Sequence, residues 1–336
     1  MNLLNHLPEP VFVVGMNGSG TTMLLDCLDN HPEIYGFPEE TKLLGHLLTV
    51  LPKFGDLAID DNFHALIQTV GRSPAFRHEN DFRPPPVPEE WRNMPRNVSV
   101  VLDWFFRYFA EKKGKERWCE KTPMNAHHIA ALGKVFPKAK FIHIIRDARS
   151  CAASCRRRFF TTPQMAALRW KQTLRTARRQ GEGVPGRYLE IRYEDLVGEP
   201  ERWMREICGF LDVPFDVKVL STSRARTLTA SSPETEIAKA EEKWRQELSD
   251  TCVARIEKIC GALLSECGYR VKLESGDTDP NRLMRKFWYI KDHLRVNFSR
   301  LSRLFSNEDD CPFSEKAARL LANTFRDFMH VLRKRY

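Results

Sequence analysis

A chain of 336 residues that is 42% apolar and 10% aromatic can hold one large or two modest domains around a sizeable core. Nine cysteines without a C-x-x-C pair or metal-ligand spacing argue against a structural zinc site and for reduced thiols. No apolar run is long enough to span a bilayer, and the first residues lack the basic-then-apolar pattern of a signal peptide. A cytoplasmic protein is therefore expected, and its net charge of +9 turns attention to anionic partners.

The first element in the chain is a continuous apolar, β-branched run, Val11-Phe12-Val13-Val14-Gly15, which reads as a buried strand. A glycine-rich turn follows, Gly15-Met16-Asn17-Gly18-Ser19-Gly20. From Thr21 to Leu28 the apolar residues at 24, 25 and 28 have helical spacing, and Asn30-His31-Pro32 ends that helix. His31 at this boundary reads as a capping or packing residue. Strand, glycine loop and helix form the first unit of a parallel α/β sheet. The loop has the properties of a phosphate cradle. Its glycines let backbone N–H groups turn toward an anion, Thr21 and Thr22 add hydroxyl donors, and the helix presents its positive end. The spacing of Gly15 and Gly20 matches G-x-x-x-x-G-K-[ST] of nucleoside-triphosphate loops, but Thr21 stands at the lysine position. Without that lysine, and without a clear carboxylate for magnesium at a strand end, triphosphate chemistry is disfavoured. A P-loop kinase or NTPase remains the alternative enzyme.

Residues 41–116 read as a mostly helical insertion. Its proline-rich stretch, Arg83 to Pro88, is either a stiff surface connector or part of a lid over the sheet's C-terminal edge. A second buried strand runs from Lys140 to Arg146, with a helix over Ser150 to Arg158. A third strand, Arg187 to Tyr193, precedes a helix from Pro200 to Leu211. The alternation predicts an α/β fold: a parallel sheet flanked by helices, joined by right-handed crossovers, like P-loop nucleotide-binding proteins. Cys252, Cys260 and Cys267 lie at intervals of 8 and 7 along one apolar helix face.

A boundary is expected near residue 275, separating a catalytic domain over 1–275 from a basic helical extension over 276–336. Residues 281–336 carry 13 Lys and Arg against 6 Asp and Glu. Two basic amphipathic helices, 281–305 and 314–336, flank the acidic break Asn307 to Asp310. Such helices could lie peripherally on an anionic membrane, pair in a homodimer or pack on the core; a binding module for anionic surfaces is the reading from a different class. No aromatic-basic nucleic-acid motif is present, so nucleic acid is not an expected partner.

Three segments together resemble the PAPS-dependent sulfotransferase family (PAPS is 3′-phosphoadenosine 5′-phosphosulfate). The segment from Val11 to Leu25 is similar to the family's 5′-phosphosulfate loop. Lys140 to Ser154 is similar to its 3′-phosphate motif, a strand ending in Arg146 with Ser154 eight residues later. Ile191-Arg192-Tyr193-Glu194-Asp195-Leu196 is similar to a segment whose tyrosine, here Tyr193, faces the nucleotide. The resemblance spans roughly residues 10–270 and implies Asn17, Gly18, Ser19, Gly20, Thr21, Thr22, Arg146, Ser154 and Tyr193 as donor-binding residues. Ser232 and Lys239 would close over the nucleotide. Arg146 suits a phosphate, since its planar fork of donors matches phosphate oxygens.

Within the family, the tyrosylprotein sulfotransferases and their bacterial relatives are most similar in motif pattern. They share the segment from His31 to Lys42 and a lysine at the position of Lys121 in Trp118-Cys119-Glu120-Lys121-Thr122-Pro123. The resemblance implies Glu40 as the base, with Glu39 as the other candidate because the preceding segment is one residue longer here. It implies Lys121 as the transition-state stabiliser. Gly18 stands where those relatives usually carry Arg. A base acting near neutral pH is expected to be buried, which raises a carboxyl above its usual value. The implied reaction moves a sulfuryl group from PAPS to an acceptor hydroxyl and releases PAP (adenosine 3′,5′-bisphosphate), with fixed donors and cations in place of a metal. A saccharide or lipid-linked glycan hydroxyl is the first expected acceptor, a small alcohol or phenol the second, a peptide tyrosine the third.

Overall fold

A computed structural model describes residues 9–221, except 39, 74–75, 77–85, 88, 90 and 160, and residues 243–295, except 273–277 and 293–294. They fall into two compact units, one of residues 1–146 and 173–238, the other of residues 147–172 and 239–336.

The first unit holds the sheet. Its strands are β1 (Val11–Gly15), β2 (Ile34–Gly36), β3 (Arg117–Glu120), β4 (Lys140–Ile145) and β5 (Tyr188–Arg192). All pairings are parallel, in the order β2-β3-β1-β4-β5. β1 is buried on both faces, which is why its sequence is continuously apolar rather than alternating. Phe12 and Val14 join one core with Trp118, Phe136 and Phe141, while Val11 and Val13 join the other with Leu24, Ile142 and Ile144. The Phe12 ring lies 5.3 Å from Phe141 and 5.7 Å from Trp118.

β1 and β4 run in register from Val11 opposite Lys140 to Gly15 opposite Ile144. The segments that leave their C-terminal ends therefore start side by side. The strand order reverses here, since β2 and β3 lie on one side of β1 and β4 and β5 on the other. Open α/β sheets bind ligands at such a reversal.

Helix α1 (Thr21–Asp29) follows the glycine loop. The expected insertion contains α2 (Leu43–Val50), α3 (Asp60–Gly71) and α4 (Val98–Lys112), and α5 (Ile129–Val135) follows β3. Most of the proline-rich stretch lies outside the described residues. The second unit contains α6 (Ala148–Phe159), and α7 (Pro163–Gly181) begins there and ends in the first unit. After β5 come α8 (Tyr193–Gly198) and α9 (Pro200–Phe210), and the second unit resumes with α10 (Asp250–Glu266). The third expected strand stops at Arg192, because Tyr193 opens α8 with Glu194 and Asp195 in its first turn, where carboxylates suit the positive helix end. Within the second unit the buried Arg149 guanidinium pairs with Asp147 at 2.6 Å and Glu257 at 2.8 Å, and lies over Trp244 at 4.6 Å. Of the expected basic terminal helices, residues 282–292 are helical and most of the remainder lies outside the described residues.

One polar network ties β4, β5 and the end of α7. Arg178 grips both oxygens of Glu190 at 2.8–3.1 Å, His143 Nδ1 lies 3.2 Å from Glu190 Oε2, and the Tyr188 hydroxyl donates to the same oxygen at 3.0 Å. Burial alone would push the Glu190 carboxyl up, but hydrogen bonds from His143 and Arg178 outweigh it and hold it at about 2, below the usual 4.5. A carboxyl depressed in the folded state stabilises above its unfolded value, and that contribution is lost as pH falls toward the folded value. Glu190→Gln should therefore flatten the decline of stability between pH 4.5 and about 2, read from urea midpoints. An unchanged slope would show that the network does not carry this linkage.

Candidate active site

The glycine loop is shaped by its backbone. Gly18 has φ 90° and Gly20 φ 107°, a left-handed region that glycine enters without a Cβ penalty. A Cβ on Gly15 would sit 2.6 Å from the Ile144 carbonyl oxygen, and one on Gly20 would collide with the Tyr193 ring. Thr21 is buried at the first position of α1, Thr22 is exposed, and no side chain caps this helix. The first-turn amides thus have no carbonyl within the helix to bond. Ser19 is fully buried, and its hydroxyl has no hydrogen-bond partner among the described residues. An unsatisfied buried hydroxyl costs about 1–3 kcal/mol. A bound phosphate or sulfate oxygen would satisfy both this hydroxyl and the free amides, so the loop fits the 5′ end of PAPS.

Arg146 lies one residue beyond β4. Its Nη1 donates to the Gly18 carbonyl at 3.3 Å, and its guanidinium lies 4.0 Å from the Tyr193 ring centroid. A cation over an aromatic face is held in place by the ring's quadrupole. The structure therefore groups the loop from Asn17 to Thr22 with Arg146 and Tyr193. Ser154 lies in α6 of the second unit, whereas Arg146 closes a segment of the first. Glu39, Ser232 and Lys239 lie outside the described residues. His31 is a packing residue, as expected: its Nε2 donates to the Pro214 carbonyl at 2.8 Å and its Nδ1 accepts from the Glu33 amide at 3.1 Å.

The ends of β2 and β3 supply a second cluster. Lys121 is buried, and its Nζ pairs with Glu40 Oε1 at 3.1 Å. The Glu40 side chain keeps 33% of its exposure, so the buried base expected from the sequence is instead half-buried and ion-paired. Glu120, which the sequence reading passed over, holds this cluster together. Its carboxyl is fully buried. Oε1 accepts from the Thr41 hydroxyl at 2.9 Å, from the Thr41 amide at 3.4 Å and from the Thr122 hydroxyl, while Oε2 accepts from Asn125 at 2.8 Å. Thr122 Oγ1 in turn accepts from the Lys42 amide at 3.3 Å, beside the left-handed φ of 50° at Lys42. Burial pushes the Glu120 carboxyl up, and the hydrogen bonds from Thr122 and Thr41 oppose that shift. Its place beside the lysine of the motif was the only signal in the sequence.

Chemically, this is an anion cradle without a lysine of its own, next to an arginine fork, with a lysine–carboxylate pair supplied by neighbouring strand ends. Such an arrangement can hold a doubly anionic nucleotide and accept a proton from a hydroxyl.

A family model described as "Sulfotransferase family" matches residues 10–217, and one described as "Sulfotransferase domain" matches residues 170–268. The chain is similar to Protein-tyrosine sulfotransferase 1 of Danio rerio, with 26% identity over 219 residues, covering 62% of this chain and 55% of that protein. It is similar to Protein-tyrosine sulfotransferase A of Caenorhabditis elegans, with 26% identity over 232 residues, covering 64% of this chain and 53% of that protein. The chain thus spans about half the length of these curated relatives. The sulfotransferase domain of a Synechococcus olefin synthase shares the fold, with a TM-score of 0.50 and 21% identity over 80% of this chain and 98% of that one.

Glu120→Gln replaces an oxygen that only accepts with an amide that must donate toward other donors. It should lower stability by about 1–3 kcal/mol and turnover at least as strongly as the stability loss accounts for, measured by denaturant unfolding and initial rates. Wild-type values for both would remove Glu120 as the anchor of the cluster.

Proposed function

The chain belongs to the sulfotransferase family, and we propose that it moves a sulfuryl group from PAPS to an acceptor hydroxyl. The observation that carries this reading is the Lys121–Glu40 pair at the sheet's C-terminal edge, together with Thr21 in place of the loop lysine.

PAPS supplies, when bound, an electrophilic sulfuryl group on a phosphate leaving group. Ser19 and the first-turn amides of α1 receive the 5′-phosphate, with the hydroxyls of Thr21 and Thr22 as further donors. Arg146 receives the 3′-phosphate, and Tyr193 faces the nucleotide. Glu40 takes the acceptor proton. One of its oxygens is engaged by Lys121, which leaves the other for the incoming hydroxyl. An ammonium has three donors, so Lys121 can hold Glu40 and still reach an oxygen that gains charge during transfer.

The acceptor in this reading is a saccharide or lipid-linked glycan hydroxyl. The residues shared with tyrosylprotein enzymes handle donor and proton, and Gly18 removes a charge those enzymes usually carry in the loop. A peptide tyrosine is the second reading, favoured by the names of the relatives.

Glu40→Ala and Lys121→Ala should each lower turnover by about 10²–10⁴-fold while binding of PAP persists. Near-normal transfer by Glu40→Ala would remove it as the base. Arg146→Ala should weaken PAP by at least about tenfold in calorimetry, a loss of about 1.4 kcal/mol; an unchanged affinity refutes the 3′-phosphate assignment. In thermal shift, PAP should stabilise the protein and ATP with magnesium should not. The opposite pattern favours a P-loop NTPase.

A further inference from the structure

We propose that the second unit carries a binding pocket for a single-chain anionic amphiphile, an alkyl chain ending in a phosphate, sulfate or carboxylate. The proposal does not depend on sulfuryl transfer, since no residue of the first unit enters it.

The pocket has a volume of about 690 Å³, within the range of roughly 300–1,000 Å³ usual for small-molecule sites. Its construction begins at a break in α10. Cys260 departs from helical geometry, with φ −140° and ψ 20°. Two carbonyls just before it serve outside partners: Lys258 O accepts from the Thr278 amide at 2.9 Å, and Ile259 O accepts from the buried Lys171 ammonium at 3.1 Å. The first bond, and Lys171 through its pair with Asp279, fix the segment 278–281 against α10. The following helical stretch, 282–292, is pinned by buried Asp292, which accepts from the Thr162 amide at 2.6 Å and pairs with Arg169 at 3.2 Å. Both walls are thus anchored by buried polar contacts.

The lining divides by chemistry. Ile259, Met284, Phe287 and Trp288 give it an apolar wall, and Met284 and Phe287 keep 46% and 62% of their surface exposed. Arg255, Lys258 and Lys291 supply three cations, none of them in a salt bridge with a described residue. The one carboxylate among the described lining residues, Asp279, is paired with Lys171 at 2.9 Å. An apolar wall beside three cations that pair with no described residue complements a ligand with an alkyl body and an anionic head. A second copy of the chain, at +9, would bring like charge to those cations, and so would the chain's own residues beyond 295, which carry 8 Lys and Arg against 5 Asp and Glu.

The test is calorimetric titration of the full chain with octyl phosphate below its micelle concentration. The expected result is saturable one-to-one binding that octyl glucoside and inorganic phosphate each fail to reproduce. Lys258→Glu with Lys291→Glu should weaken it at least tenfold, while Lys243→Glu with Arg270→Glu, exposed cations outside the pocket, should leave it unchanged. Circular dichroism of both double variants checks folding, and Phe287→Asp, at an exposed position, gives a second route to the same loss. Equal binding of the neutral amphiphile or of inorganic phosphate overturns the proposal. So does equal weakening by both double variants, or binding to anionic vesicles with none to monomeric octyl phosphate. Self-association abolished by Phe287→Asp would assign the face to a second copy instead.

Discussion

Glu120 is a carboxylate with no access to solvent, placed where β3 ends and Lys121 begins. Burying a charge is costly unless hydrogen bonds replace its water, and here the replacements come from Thr41, Thr122 and Asn125. Satisfying it requires the loop after β2 to approach the end of β3. That approach sets Glu40 against Lys121, one residue along from the buried carboxyl. The Glu40–Lys121 pair is therefore a consequence of a structural demand. A polar network of this kind is worth keeping only when every member is satisfied, which leaves little freedom in how Glu40 is presented.

The remaining positive potential is spread over three sources. An ordinary triphosphate loop concentrates it in one lysine, but here Thr21 occupies that position and is buried at the start of α1. Lys121 arrives from β3 and Arg146 from β4, and the helix end adds its own partial charge. The register sets the end of β4 beside Gly15 at the start of the loop, while the end of β3 lies opposite Phe12. This dispersal suits a donor with phosphates at both ends of a nucleoside. Tyr193 serves the same geometry twice, closing against Gly20 and supporting the Arg146 guanidinium.

Much of this was legible in the sequence. The run Val11 to Gly15 announced a doubly buried strand, and Gly15 to Thr22 read as a candidate anion loop because it joins that strand to a helix. Lys140 to Arg146 was legible for the same reason as β1. β2 and β3 were not, since three and four residues, one set reading Arg-Trp-Cys-Glu, are too short for a period to emerge. Glu120 was invisible as an anchor because its partners are up to 79 residues away and a buried carboxylate looks like any other glutamate. The break at Cys260 was hidden likewise, its cysteine fitting an unbroken helix face.

The reaction proposed for this cluster is transfer of a sulfuryl group to a hydroxyl. Its most direct measurement is incubation of the purified chain with sulfur-labelled PAPS and a fractionated set of acceptors, covering glycans, small alcohols and phenols, and tyrosine peptides. Label is expected in a hydroxyl-bearing product, with one PAP released per label transferred. Label that stays in PAPS with every acceptor class, while ATP is turned over by the same preparation, would contradict it.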